Sequence, residues 1–280
     1  MTLLKPILYF SLFKYPLTEE EIFNFSKAES KEQIKLDLIE LVNDDIIYKI
    51  DDFYLTENNE TLIKRRLEGN KMAKNIYQKA LTVSRLISKF PYVEGVGISG
   101  SLSKGYYDDD GDIDFFIITS PKRLWIARTF LILYKKLFLL NSRKYFCVNY
   151  FISSNALEIE EKNIFTATEL TTLLPMFGNG SFHKFYEKNK WVENYLPNKT
   201  VTEGLSKLNL VKKPTVTKIT EYFLDSKIGD WLDAAFLRIT YHKWKIKFNH
   251  LEERQFNVAM KSTKNISKHH PLNFQRKVID

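Results

Sequence analysis

Val93-Glu94-Gly95-Val96-Gly97-Ile98-Ser99-Gly100-Ser101-Leu102-Ser103-Lys104-Gly105-Tyr106-Tyr107-Asp108-Asp109-Asp110-Gly111-Asp112-Ile113-Asp114-Phe115-Phe116-Ile117-Ile118-Thr119 decides how this chain folds. The first run, 93–99, reads as a strand that enters Gly100-Ser101. A short helical turn is expected next, then an acidic loop. A second strand is expected to begin Asp112-Ile113-Asp114 and to continue through Phe115–Ile118. Side chains two apart on a strand share a face. Asp112 and Asp114 should therefore project together, with Ile113 and Phe115 turned into the core. Paired carboxylates repel unless they share a cation, and hard oxygen ligands suit Mg²⁺. Gly100 lets backbone approach a ligand closely. Ser101 offers a hydroxyl and an N–H at the start of a turn, a natural phosphate seat, and Lys104 adds positive charge nearby. A plain reading stands beside this one: Asp112 and Asp114 as turn residues of an acidic loop, since Asp110-Gly111 is an ordinary turn signal.

The pattern resembles the nucleotidyltransferase superfamily with a DNA polymerase beta-like catalytic core. The points of resemblance are a hydrophobic strand, Gly100-Ser101, ten intervening residues, then Asp112-Ile113-Asp114, with Lys104-Gly105 after the Gly-Ser. The resemblance implies that Gly100, Ser101 and Lys104 hold a nucleoside triphosphate and that Asp112 and Asp114 hold two Mg²⁺ ions. It implies transfer of a nucleoside monophosphate with pyrophosphate leaving. The acceptor hydroxyl would belong to RNA, a protein or a small molecule. The match extends loosely through an expected helix at 123–140 and a third strand at 145–152. Active members of the superfamily carry a third carboxylate on such a strand. Here Phe146-Cys147-Val148-Asn149-Tyr150-Phe151-Ile152 has none, and Asn149 stands there. Either Glu158, Glu160 or Glu169 substitutes, or two carboxylates suffice, or the protein binds nucleotide without turning it over. The last case makes it a catalytically inactive nucleotide- or nucleic-acid-binding regulator.

Outward from this stretch, the N-terminal part reads as three helices and a hairpin. Leu4, Ile7, Leu8, Phe10, Leu12 and Phe13 suit a helix that Tyr15-Pro16 stops. Thr18 and Glu21 form a capping box for a second helix. Ser30 opens a third, with Ile34, Leu38, Leu41 and Val42 on one face. Two short β-type runs, 46–50 and 53–56, then flank Asp51-Asp52. That order is winged-helix-like, which makes DNA a possible partner. The third helix, Lys31-Glu32-Gln33-Ile34-Lys35-Leu36-Asp37, is mixed in charge and lacks the Arg and Asn that read base edges. One long helix spans 60–90. The expected organisation is a winged-helix-like module at 1–58, a linker helix at 59–92, a nucleotidyltransferase core at 93–160 and a helical C-terminal region at 161–280. In that last region, helices are expected at 166–174 (stopped by Pro175), 182–195, 219–223 and 229–260. Trp231, Phe236, Tyr241, Trp244 and Phe248 read as core, and Arg238, His242, Lys243, Lys245 and Lys247 as a solvated face. Adjacent His269 and His270 lack partners of metal-site spacing. The fold class expected is α+β.

Composition bounds the rest. The chain has 280 residues, room for one large or two ordinary domains. With 21 Phe, 15 Tyr and 4 Trp it has material for a sizeable core, and with 10 Gly and 8 Pro it has few forced turns. A single cysteine, Cys147, excludes an internal disulfide and a thiolate-rich zinc site. The net charge of +8 favours polyanionic partners. The opening residues lack a signal-peptide layout. The most apolar run, 129–140, is broken by Lys135 and Lys136 and is far shorter than the ~20 residues of a bilayer span. No membrane partner and a cytoplasmic location are expected.

Overall fold

The computed structural model describes residues 3–199, 205, 208, 213–271 and 274–279. It is α+β, built on a mixed five-stranded sheet and a separate three-stranded one.

The N-terminal elements form for local reasons. Helix α1 is Leu4–Ser11, and it buries Ile7, Tyr9 and Phe10. Strand β1 (Leu17–Thr18) leads into α2 (Glu19–Asn24). Thr18 and Glu21 make the reciprocal capping box there, and Ser30 caps α3 (Lys31–Asn43) by accepting from the Gln33 N–H. Each such cap is worth about 1 kcal/mol. Strands β2 (Tyr48–Ile50) and β3 (Phe53–Leu55) pair antiparallel across Asp51-Asp52, with Asp51 at φ +51. Asp tolerates that left-handed conformation, which a two-residue hairpin needs. β3 also pairs with β1, so the small sheet runs β1-β3-β2.

Helix α4 (Glu60–Ser88) joins this part to the larger sheet. Asn59 caps it through the Thr61 N–H. Gly69 packs directly under Tyr106, because a Cβ there would run into that ring. Gly69→Ala is expected to lower stability by ~1–3 kcal/mol through overpacking, although alanine is the better helix former. Thermal melting of the variant checks this; an unchanged or higher melting temperature would refute it.

The larger sheet runs β7-β4-β5-β6-β8. Strands β4 (Val93–Ser99) and β5 (Asp114–Thr119) are antiparallel neighbours. Helix α5 (Leu124–Phe138) crosses to β6 (Cys147–Ser153), which lies parallel to β5. One face carries Ile98, Phe115, Ile117 and Phe151 against α4 and α5, the latter through Trp125 and Leu131. The other face carries Phe116, Ile118 and Ile152 against α6 (Ile164–Thr172) and α7 (Asn179–Lys188), through Leu170, Phe182 and Phe185. The α5 N-terminus is anchored from outside: Asp233 accepts from the Trp125 and Ile126 N–H groups. Arg123 is paired with Asp225 and Asp230.

Several elements differ from expectation. β5 starts at Asp114, two residues later than Asp112. Its pairing with β4 ends at Ser99↔Asp114, where β4 turns away through Gly100 at φ +69. The two edge strands come from a stretch read as wholly helical. β7 (Leu174–Phe177) pairs with β4 and β8 (Ile266–Lys268) pairs with β6. Pro175 does stop α6, but inside an edge strand, where its missing N–H costs little. The expected helix at 229–260 is two: α9 (Lys227–Lys247), which follows α8 (Thr215–Leu224), and α10 (Glu253–Ala259). The helix expected at 182–195 also divides, into α7 and a 3₁₀ turn at Lys190–Asn194. Trp231, read as core, is 67% exposed, whereas Trp244 and Phe248 are buried. A short helix α11 (Phe274–Ile279) closes the described chain. Among the described residues no helix is long and apolar enough to cross a membrane.

Candidate nucleotide site

Topology gathers the expected residues at one end of the sheet. β4 ends at Ser99, β5 begins at Asp114 and β6 begins at Cys147, all in register. β7 begins and β8 ends at that same end.

Gly100 is required twice over. Its φ of +69 is left-handed, and a Cβ there would lie 2.4 Å from Asp114 Oδ2. The turn therefore lies directly against the carboxylate. Ser101 is exposed at the start of a 3₁₀ turn, Leu102–Lys104, which Gly105 ends at φ +74. Ser103 Oγ and Lys104 Nζ both donate to the Gly100 carbonyl, at 2.8 and 3.1 Å. Lys104 also pairs with Glu169 on α6 at 2.8 Å. Expected as a cation open to phosphate, Lys104 instead braces the turn.

The turn is tied to the N-terminal part as well. The Tyr15 hydroxyl donates to the Lys104 carbonyl, and the Tyr107 N–H donates to Gly69 O. Arg66, buried on α4, pairs with Glu21 at 2.8 Å and lies over the Tyr15 ring.

Asp114 is the electrostatic centre of the site. Asn149 Nδ2 donates to its Oδ1 at 2.7 Å, and the Cys147 thiol hydrogen-bonds to it. A bulge in β6 aims the amide: Phe115 pairs with Val148 and Phe116 with Tyr150, leaving Asn149 as the extra residue. Burial pushes the Asp114 carboxyl up to about 7; the Cys147 bond opposes this, and the negative charges of Asp112 and Glu169 reinforce it. Burial and the same carboxylate raise the Cys147 thiol far out of its reactive range. Asn149 Oδ1 is buried with no hydrogen-bond partner among the described residues.

Sequence reasoning placed Asp112, Asp114, Gly100 and Ser101 at this site, and they do assemble. Of the three possible substitute carboxylates, only Glu169 acts on Asp114. Glu158 pairs with Lys162 and Glu160 with Lys261. Sequence offered no sign that Lys104 and Glu169 pair, or that Cys147 and Asn149 flank Asp114. The parallel register of β5 and β6 creates the latter.

The donors present suit Mg²⁺. Among the described residues no three His, Cys, Asp or Glu side chains form a ready metal cluster. Mg²⁺, however, is ordinarily held by one or two carboxylates together with substrate phosphates. Asp112 and Asp114 are neighbouring carboxylates, and Asn149, whose Oδ1 has no partner among the described residues, hydrogen-bonds to Asp114 through its Nδ2.

No protein-family model, no curated protein and no solved structure matches the chain.

Proposed function

We propose that the protein is a metal-dependent nucleotidyltransferase, which moves a nucleoside monophosphate from a nucleoside triphosphate to an acceptor hydroxyl. The observation that carries this reading is the packing of Gly100 onto the Asp114 carboxylate, with Asp112 beside it and the exposed Ser101 next in the chain. That contact would join a phosphate seat and a carboxylate pair in one unit. Ser101 would bind the triphosphate, and Lys104 would keep the turn in shape while lending it positive charge. Asp112 and Asp114 would hold Mg²⁺, which supplies charge neutralisation at the triphosphate and acidifies the acceptor hydroxyl. Glu169, the remaining carboxylate acting on Asp114, would take up the proton on opening of its pair with Lys104. The protein's part is then chiefly positioning and electrostatics.

One observation favours a second reading, a nucleotide-binding regulator without turnover. β6 presents Cys147 and Asn149 to Asp114 and no carboxylate. In that reading the N-terminal helices and hairpin act as a winged helix that docks DNA or a partner.

Isothermal titration with ATP, CTP, GTP and UTP in Mg²⁺, beside the Asp112→Ala/Asp114→Ala variant, tests the site. The expected result is binding of at least one nucleotide that needs both the metal and the aspartates. Labelled transfer with that nucleotide then separates enzyme from regulator. Absence of binding by folded wild-type protein would overturn both readings of the site.

A further inference from the structure

A second group of charges lies around β6 from the carboxylates, on the α5 side of the sheet. Arg128 and Lys135 are two turns apart on α5 and so share a face. Arg143 precedes β6, Lys247 ends α9, and His269 follows β8. Aromatic rings hold Arg128, Lys247 and His269 together. The Arg128 guanidinium lies 4.8 Å from the Trp244 ring centroid and 5.5 Å from that of Trp125. The His269 ring is 5.1 Å from Trp244 and 5.7 Å from Phe248, and Lys247 Nζ is 5.3 Å from Phe248.

The group is short of anions, and Asp112 acts on Lys135 only from beyond ion-pair distance. None of Arg128, Lys135, Arg143 and Lys247 forms an ion pair among the described residues. Lys135 is nevertheless only 9% exposed, and Arg128 is partly buried. Burial pushes Arg128 down to about 10 and lowers Lys135 as well. His269 falls to about 4, first through burial and then through the positive charges of Arg128, Arg143, Lys247 and Lys135. It is therefore neutral at pH 7 and offers hydrogen bonds. Sheltering like charges together is costly unless an opposite charge joins them.

The group also touches the nucleotide site. The His269 backbone N–H donates to the Asn149 backbone carbonyl at 2.9 Å, next to the β6–β8 ladder, and the Asn149 side chain donates to Asp114. Lys135 acts electrostatically on Asp112 and Cys147.

We propose that Arg128, Arg143 and Lys247, backed by the buried Lys135 and by His269, form a phosphate-binding surface that holds a polynucleotide acceptor strand beside the nucleotide site. The inference deepens the proposed transfer function by naming the acceptor class, and it rests on that reading. Cations spread over three segments of chain need several anionic groups to neutralise them. Successive phosphodiesters supply these, one charge each. A single phosphate would leave most of the charge unmet.

The test is fluorescence anisotropy with a labelled single-stranded RNA of about 20 nucleotides over a salt series. The cluster variant is Arg128→Gln/Arg143→Gln/Lys247→Gln. A control, Lys64→Gln/Lys71→Gln/Lys74→Gln on the exposed side of α4, removes the same charge elsewhere. The cluster variant is expected to lose at least ~10-fold in affinity, and its log–log salt slope should shrink by about 2, or ~0.7 per lost contact. The control should keep the wild-type slope. ATP titration of the same proteins should be unchanged, which separates acceptor phosphates from those of the nucleotide. A folding check comes from melting: inorganic phosphate should raise the melting temperature of wild type more than that of the cluster variant. Weak RNA binding by wild type, an equal loss in the control, or loss of ATP binding in place of RNA binding would each overturn the proposal. RNA bound through the cluster by a protein that binds no nucleotide would sink the transfer reading and leave this surface standing.

Discussion

At pH 8 and without divalent cations, Asp114→Asn is expected to melt at a higher temperature than wild type. In the folded chain the Asp114 carboxyl is raised from 3.8 to about 7, chiefly by burial. In the unfolded chain it ionises near its ordinary value. Between those two values the folded state holds a proton that the unfolded state has released. Stability therefore falls as pH rises through that window, and the full penalty applies above about 7. Three units of difference set a ceiling of about 4 kcal/mol. The amide variant forfeits part of the gain, because Asn149 and Cys147 then face a weaker acceptor. A net gain of ~1–3 kcal/mol corresponds to roughly 2–10 °C for a chain of this size. Below pH 4 the advantage should vanish. Mg²⁺ should reverse the order at pH 8, raising wild type and leaving the variant unmoved. Parallel pH profiles for the two proteins would show that Asp114 is not a desolvated carboxylate, and a Mg²⁺ shift equal in both would remove it as a ligand.

Gly100→Ala is expected to lose at least ~10-fold in Mg²⁺-dependent nucleotide affinity, and ~10²-fold in transfer where an acceptor is supplied. Two costs act at this residue. The left-handed φ of +69 is worth about 1–2 kcal/mol against any residue with a Cβ. The added carbon would also stand 2.4 Å from Asp114 Oδ2, so the carboxylate or the turn must move. A displacement near 1 Å at reacting groups is worth about 10²-fold. Gly105→Ala separates the two costs. Gly105 has a similar φ of +74, but its nearest neighbour to an added Cβ is Asn70 Nδ2 at 3.9 Å. It should lose stability and largely keep nucleotide binding. Equal losses in the two variants would show that backbone strain, not the carboxylate contact, makes Gly100 necessary.

The apposition of the Gly100 turn and Asp114 also marks how far the chain could be read unaided. Strand 93–99, the short turn and the second strand lie close to where the residue pattern puts them, and α5 lies close to the helix that the family resemblance implies. The acidic pair was legible because a two-residue repeat survives any tertiary arrangement. Asp112 lies outside the strand, but Ile113 and Phe115 are fully buried as alternation requires. β7 and β8 were not legible. Each is three or four residues long, one contains a proline and the other ends in lysine. Edge strands this short carry too little alternation to stand out and are recruited by the hydrogen-bonding edges of β4 and β6.

The sequence by itself determined the helices with their Thr18 and Ser30 caps, the central strands, the Asp51-Asp52 hairpin, and the presence of Gly100, Ser101, Asp112 and Asp114 on consecutive elements. Those features depend on residues within a few positions of one another, where backbone sterics and hydrophobic period decide. Only the tertiary structure decided that Lys104 is engaged by Glu169, that a bulge points Asn149 at Asp114, that burial raises the Asp114 carboxyl to about 7, and that Arg128, Lys135, Arg143 and Lys247 form no ion pair among the described residues. Each of these depends on charges and dielectric brought together from distant segments, and the energy of a charge is set by its surroundings in space rather than by its neighbours in the chain.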